Sequence, residues 1–545
     1  MDKIPIEIVR AILRNIILSR VQQPLSSYAS TSKVWQSIIE EITFQTLVIT
    51  TTDLATFKTY FAGKNSARLN LLNVLVVEFE LPKMKPGTCR LKHKPNRKDD
   101  SVAITGGITY ILKILAAMDL QLQHRAKPLH LMFRSSFRRN DCTHDHWGVS
   151  HLDFKSTHPN VGFYNVIDAS ELPNVNNIHR FSFFGGNFKG LSNRTLVDVA
   201  SKFSELRIIS LEIEDFYEWG SERRIEQRTD FCNAMAQITG DDLEDISITI
   251  WHRIQTNDCI KAHNLIGRGD PLRTMFWNFS QFKQLRKLHL TGPVVIPFDL
   301  LAVSLHIQGG SIFPVLEEFL LQFAPETADG QWFLIKDEEG ERAAIQNPRW
   351  KRLLVDIDDG DSEDSEDSED SSSHYLDEAE LSGDMLEFGE GTRRLRRVKF
   401  CQCRSMPNPT TATPLLLDTA ELLHNLRRIR KFIIRITWNQ NDKSSWKQFE
   451  RPWIGGRDFE IQYLKRGVCW DAGRHKDYPK NFKEDLSTDR LYWRFAERMP
   501  ADDVQRRWSD VVGPDCKIWR LRQIWSDIHF QGEMVSPWAA TMNNY

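Results

Sequence analysis

Cysteine is scarce: eight in 545 residues, with no C-x-x-C pair, and with Cys401 and Cys403 too close together for the usual zinc spacing. That excludes a disulfide-built scaffold and the common structural zinc modules. Long apolar runs are missing as well. The most hydrophobic stretch, Leu69 to Leu81, is broken by Asn73, Glu78 and Glu80, and nothing approaches the ~18 residues that span a bilayer. Asp2, Lys3, Glu7, Arg10 and Arg14 leave the N-terminus without an apolar signal core. There is no Walker loop, dinucleotide glycine fingerprint, kinase signature or G-x-S-x-G elbow. These absences lead to the expectation of a soluble protein of a reducing compartment, cytoplasmic or nuclear. They also lead to the expectation of no catalytic centre, no cofactor and no metal. Cys142, His144, His146, His151 and His158 cluster, but their spacing matches no structural zinc family and Asp141, Asp145 and Asp153 make the stretch simply polar.

What is present is an ordinary globular composition, 41% hydrophobic and 26% charged. Net charge is −2, from 71 basic and 73 acidic residues, and the balance conceals a segregation. Asp356 to Glu390 holds 16 acidic residues and no Lys or Arg; the rest of the chain carries 57 acids, for a net +14. Within that tract, residues 361–373 read DSEDSEDSEDSSS. Like charges repel and nothing there builds a core, so disorder is expected, as an insertion between two strand patterns. Its serines, flanked by acids, suit an acid-directed kinase, although a solvated spacer gives the same text. Association of the tract with Arg393, Arg394, Arg396, Arg397 and Lys399 is one further expectation.

The first forty residues predict three short helices. Pro5 is tolerated in a first turn because its missing N–H has no partner there, and Glu7 complements the helix dipole. Ile8, Val9, Ile12, Leu13, Ile16 and Ile17 form one stripe at helical spacing. Pro24 and Leu25 begin a second helix through Tyr28. Thr31 or Ser32 can cap a third, with Val34, Trp35, Ile38 and Ile39. A unit this small is marginal alone and needs a neighbour, in the same chain or another. A plain helical cap on a larger domain fits the same pattern.

Ile4-Pro5-x-Glu7-Ile8-Val9-x-x-Ile12-Leu13-x-x-Ile16, then Leu25, then Lys33-Val34-Trp35-x-x-Ile38-Ile39, resembles an F-box over residues 1–45. The departures are Ile4 for the usual Leu, Ile6 at an often acidic position, and Thr31 for a usual Val, whose hydroxyl needs a partner if buried. The resemblance implies docking to the Skp-type adaptor of a cullin–RING ubiquitin ligase. By position, Ile4, Pro5, Ile8, Leu25 and Val34 are the implied adaptor-facing residues, with Trp35, Ile12 and Ile16 in the core.

Beyond residue 45 one pattern recurs, apolar-x-x-apolar-x-apolar. It falls at Leu71/Val74/Val76, Ala126/Leu129/Leu131, Ile178/Phe181/Phe183, Leu206/Ile209/Leu211 and Leu243/Ile246/Ile248. It falls again at Leu285/Leu288/Leu290, Leu316/Phe319/Leu321, Trp350/Leu353/Val355, Leu395/Val398/Phe400 and Ile429/Phe432/Ile434. Alternation in the last part of each reads as a short strand. From Ile178 the spacings run 28, 37, 42, 31, 34, 45 and 34 residues, with helix-like stretches between, such as Asn193 to Phe203 and Thr419 to Leu426. Strand plus helix every thirty or so residues is a leucine-rich-repeat signal of irregular length; an ordinary α/β domain with long insertions is the competing reading. Together with the opening helices, the pattern resembles fungal F-box proteins with divergent, repeat-like C-terminal regions.

The expected architecture is therefore α/β: an F-box-like helical unit (1–45), an irregular leucine-rich-repeat-like solenoid (46–437, with the acidic insert 356–390), and a mixed Trp-rich cap (438–545). The cap region holds nine of the sixteen Trp, with a helix read over Arg494 to Trp508. Lys83 to Ser101 reads as a basic loop. Arg427, Arg428, Arg430, Lys431 and Arg435, interleaved with Phe432, Ile433 and Ile434, read as a strand with one buried and one solvated face rather than a nucleic-acid or membrane surface. The function these readings imply is a substrate receptor of a Skp–cullin–F-box type ligase, binding an adaptor and a protein target, with no nucleic acid and no membrane. The alternative is a non-catalytic interaction scaffold that recruits no ligase.

Overall fold

The computed structural model describes residues 6–18, 25–61, 68–82, 97–118, 128–137, 169–184, 192–215, 221–238, 241–252, 262–266, 269–302, 312–336, 404–436, 459–469, 486–495, 500–522 and 531–535. The fold is mixed α/β. Strand pairing is mostly parallel, and the described residues include ten helices and no closed barrel. By its contacts the chain divides into two compact units: residues 1–251, 271–291 and 312–317, and residues 252–270, 292–311 and 318–545.

The first unit begins with α1 (Ile6–Leu18), α2 (Leu25–Ala29) and α3 (Lys33–Phe44), then β1 (Thr46–Thr50) and α4 (Leu54–Phe61). It continues with β2 (Val74–Glu80), α5 (Arg97–Ala117), β3 (Leu129–Phe137), β4 (Ile178–Phe183), α6 (Asn193–Ala200) and β5 (Ile208–Asp215). Then come α7 (Ser221–Ala236), β6 (Asp245–His252), α8 (Pro271–Phe279) and the first half of β7 (Lys287–Ile296). The strands lie side by side in chain order. α6 packs on α7, and α7 on α8. Successive strand–helix units therefore set their helices in one layer.

The recurring apolar pattern is what this arrangement buries. Leu131 stands beside Phe181 and Phe181 beside Ile209; Phe133, Phe183 and Leu211 form the next row. All six are buried, and so are Leu243, Ile246, Ile248, Leu285, Leu288 and Leu290 on the following strands. Each row is a ladder of like-sized apolar side chains that no single unit could cover by itself. The instance at Leu71/Val74/Val76 is displaced by one residue. Leu75 and Val77 pair with Leu131 and Phe133, so the true members are Leu72, Leu75 and Val77, all fully buried. A one-residue slip exchanges the two faces of a strand, which is why the error matters.

The second position of the pattern also has structure. Arg207, Glu244, Arg286 and Glu317 each donate a backbone N–H to the carbonyl of the preceding unit (2.8–2.9 Å), the first of them to His179. Their charges alternate, and Arg207–Glu244 (3.4 Å) and Arg286–Glu317 (3.8 Å) pair across neighbouring strands. Exposed pairs like these contribute little energy, but alternation disfavours pairing out of order.

Polar residues mark the opposite sheet face: the His130 ring bonds the buried Ser182 hydroxyl (2.8 Å), and Thr249 meets Thr291 (2.7 Å). Burial, helped by the Arg180 charge, pushes the His130 imidazole down to about 4, so it is neutral near pH 7.

α5 corrects two readings. It starts at Arg97, so the end of the supposed basic loop is helical, with Asp99 and Asp100 in its first turn. Asp99 to Ala117 is also long and apolar enough to cross a membrane, the one such helix among the described residues. Interspersed Gly, Thr and Ser conceal it from a count of apolar runs. Ile104, Ile108, Ile111, Leu112 and Leu115 are buried inside the unit.

Two adjacent glycines in α5 differ sharply. A Cβ at Gly107 would lie 2.7 Å from Thr51 Cγ2 and 3.3 Å from the Phe79 ring, whereas a Cβ at Gly106 would meet nothing within 4 Å. Gly106→Ala should therefore stabilise by up to ~1 kcal/mol through helix propensity, and Gly107→Ala should cost about 1–3 kcal/mol by overpacking. Thr51→Ser removes the offending methyl and retains the hydroxyl that accepts the Glu80 N–H (3.0 Å). Adding it should recover most of the Gly107→Ala loss. Urea midpoints of the four proteins check this; equal effects at the two glycines would refute the close approach.

The second unit holds β8 (Glu318–Thr327), β11 (Lys431–Ile436), β12 (Phe459–Leu464), β13 (Arg490–Phe495), β14 (Lys517–Arg522) and β15 (Gln531–Val535), adjacent in that order. β8/β11 and β13/β14 are parallel; the other pairs are antiparallel. β9 (Leu334–Lys336) and β10 (Arg404–Pro407) form a separate antiparallel ribbon. α9 (Ala412–Asn425) and α10 (Asp502–Val512) pack together. The helix read over Arg494 to Trp508 is thus part strand and part helix. β11 differs in part: Ile433 is buried alongside Phe432 and Ile434, while Lys431 and Arg435, on the same face as Ile433, are half-buried. The pattern instances at Trp350 and Leu395, the acidic tract, the basic segment 393–399 and the Cys142–His158 cluster lie outside the described residues.

Candidate protein-docking surface

The candidate site is built by the three opening helices. Ser32 caps α3, its side chain accepting the Trp35 N–H (3.3 Å). Thr31, whose hydroxyl replaces a methyl of the F-box pattern, is exposed and donates to the Tyr28 carbonyl (2.7 Å). The substitution therefore leaves no buried orphan. Tyr28 and Trp35 stack with ring centroids 6.2 Å apart. The core is small: Val9 and Leu13 of α1 meet Ile38 and Ile39 of α3, with Leu25, Tyr28, Ala29, Trp35 and Ile42 packed against them.

Polar contacts fix the helices. Arg10 reaches Glu41 (2.8 Å), clamping α1 to α3. Arg68 pairs with Glu40 (2.9 Å) and lies over the Phe44 ring (5.6 Å), tying α3 to the segment that leads into β2. Burial alone would raise the Glu40 carboxyl; hydrogen bonds from Gln36 and Arg68 and the Arg68 charge outweigh it and hold the group below its usual range.

Those contacts use one side of α1. On the other, Ile8 is 51% exposed and Ile12, one turn on, is 38% exposed; Val34 in the first turn of α3 is 41% exposed. Residues four apart share a helix face, so Ile8 and Ile12 form a second apolar stripe beside the buried Val9 and Leu13. Of the five residues assigned to the adaptor face, Ile8 and Val34 are exposed. Leu25 is half-buried, packed against the helical core. Ile4 and Pro5 lie outside the described residues. Ile12, assigned to the core, belongs to the exposed stripe. The signal that could have found it is its i+4 spacing from Ile8, with Val9 and Leu13 filling the inner positions.

Among the described residues no group of three or more His, Cys, Asp or Glu could hold a metal ion. No protein-family model matches the chain, and no curated protein matches it.

Proposed function

We propose that the chain is an F-box-type substrate receptor: α1 to α3 dock the Skp-type adaptor of a cullin–RING ubiquitin ligase, and the repeated strand–helix body, read as an irregular leucine-rich-repeat-like solenoid, holds a protein target. The observation that carries this is the exposed stripe of Ile8 and Ile12, with Val34, on a helical unit whose core is already closed by Val9 and Leu13. Isolated exposed apolar residues are ordinary; a spaced pair on one face of a small helix needs covering. The receptor reading assigns the chain positioning rather than bond chemistry, since holding a target beside an activated group raises its effective concentration.

The test is direct binding of purified Skp-type adaptor to the full chain and to Ile8→Asp with Val34→Asp. A desolvated carboxylate at two anchor positions should weaken binding by at least about 30-fold, the scale of an interface hot spot, while the near-ultraviolet spectrum and urea midpoint stay unchanged. A full chain that does not bind the adaptor would favour the scaffold reading. Binding that the paired variant leaves intact would remove this face from the interface.

A further inference from the structure

Cations collect along one rim of the second unit. After α9 ends at Asn425, the following turn carries Arg427, Arg428 and Arg430, all exposed, and Lys431 opens β11. The Lys465 N–H donates to the Arg430 carbonyl (2.9 Å), which brings Lys465 and the exposed Arg466 to the same rim. Arg490 is buried beneath, its guanidinium donating to the Lys465 and Val468 carbonyls. Carboxylates already engage part of this rim among the described residues. Glu318 is the cross-strand neighbour of Lys431. Asp489 already accepts the Tyr463 hydroxyl (2.7 Å) and the Arg466 N–H (2.9 Å). The C-terminal dipole of α9 accounts for a cation or two just after Asn425. It does not account for Lys465 and Arg466, which reach the rim from the β12 side.

A rim of this sign fits a polyanionic peptide, and the chain carries one. We propose that the rim docks the chain's own acidic tract, residues 361–373, with Arg427, Arg428 and Arg466 as its principal contacts. The complementarity is one of sign and amount: seven carboxylates in residues 361–370, and none of the tract's charge offset by Lys or Arg between residues 356 and 390. The tether permits it. The tract is inserted between β9 and β10, both in the second unit, and lies 25 residues beyond Lys336. At ~3.3 Å per extended residue that span reaches about 80 Å, and a tethered segment acts at an effective concentration on the order of millimolar.

Zero-length carbodiimide coupling of the full chain, read by mass spectrometry, tests the assignment. The expected result is coupling between Lys465 and carboxylates of residues 361–370, reduced at least fivefold by 0.5 M NaCl and by Arg427→Glu with Arg428→Glu and Arg466→Glu. Other lysine–carboxylate couplings, including those within the first unit, should be unchanged and so report that the variant is folded. Absence of the Lys465 couplings, or their persistence in the triple variant, would overturn the proposal. So would a single-stranded 20-nucleotide DNA that binds the wild-type chain, loses affinity in the triple variant, and leaves the Lys465 couplings unchanged at saturation.

Discussion

Arg224→Ala is expected to destabilise the first unit by about 3–5 kcal/mol, as loss of one partner of a buried ion pair does. Arg224 lies near the start of α7 and is only 1% exposed. Its guanidinium grips the carboxylate of Asp215, at the end of β5, through two bonds: Nε to Oδ1 (2.7 Å) and Nη2 to Oδ2 (3.0 Å). The fork fixes the angle at which the chain leaves the strand and enters the helix. Truncation removes the stem's packing and leaves a partly buried carboxylate without its strongest partner. Lysine keeps the charge but cannot form the planar pair, so Arg224→Lys should recover less than half of the loss. Arg224→Met with Asp215→Leu should recover most of it, because removing both charges also removes their desolvation cost. Hydrogen exchange across β5 and α7 in the full chain reads these changes locally, which suits a chain of two compact units better than one global transition. Less than ~1 kcal/mol of lost protection in Arg224→Ala would show that the pair does not hold this junction.

Much of the fold is legible where local pattern and tertiary environment agree. Between Ile178 and Leu290 every instance of the pattern leads into a strand, because each of those strands buries the same apolar face and the motif records that face directly. The misses have identifiable causes. β1 is easily overlooked although Phe44/Leu47/Ile49 fits the pattern and Leu47 and Ile49 pair with Leu75 and Val77; Phe44 is the last residue of α3, so the pattern straddles a helix end and a strand. α7 is hidden because its first two turns, Ser-Glu-Arg-Arg-Ile-Glu-Gln-Arg, look solvated. The buried Arg224 makes sense only beside Asp215. β13 misleads for the same reason. Arg-Leu-Tyr-Trp-Arg-Phe buries both faces, and Arg494 is accommodated by Glu460 (3.7 Å), 34 residues earlier. A charge neutralised across strands leaves no trace in its own neighbourhood. At the candidate site, periodicity finds the apolar stripe of α1 but not its inward side: the stripe is wider than a three-helix core can cover, and only packing shows that Val9 and Leu13 are covered while Ile8 and Ile12 are not.

Trp508→Ala should cost about 3–5 kcal/mol in the second unit, the range for emptying a large aromatic site. α10 is otherwise a polar helix: Asp502 and Asp503 lie in its first turn, and Gly513, at φ +81°, ends it in a conformation that L side chains rarely adopt. Val504 and Trp508, one turn apart, are its buried residues, so the helix is held largely by one side chain. The indole is fully buried, with its ring centroid 5.7 Å from that of Trp493, edge to face. Its N–H donates to the Leu416 carbonyl in the middle of α9 (3.0 Å). That carbonyl lies within the helix and has a second lone pair to offer, so the bond adds to the helix ladder rather than competing with it. Arg507 meets Glu421 one turn along, on a more exposed and weaker contact. The two parts of the tryptophan's contribution separate by substitution. Trp508→Phe keeps most of the buried ring and loses the hydrogen bond, at an expected cost of about 1–2 kcal/mol. Arg507→Ala should cost under about 1 kcal/mol. Loss of exchange protection in α9 should be largest for Trp508→Ala, smaller for Trp508→Phe and smallest for Arg507→Ala. If Arg507→Ala loosened α9 more than Trp508→Ala did, the pairing of these helices would rest on the surface ion pair and not on the buried indole.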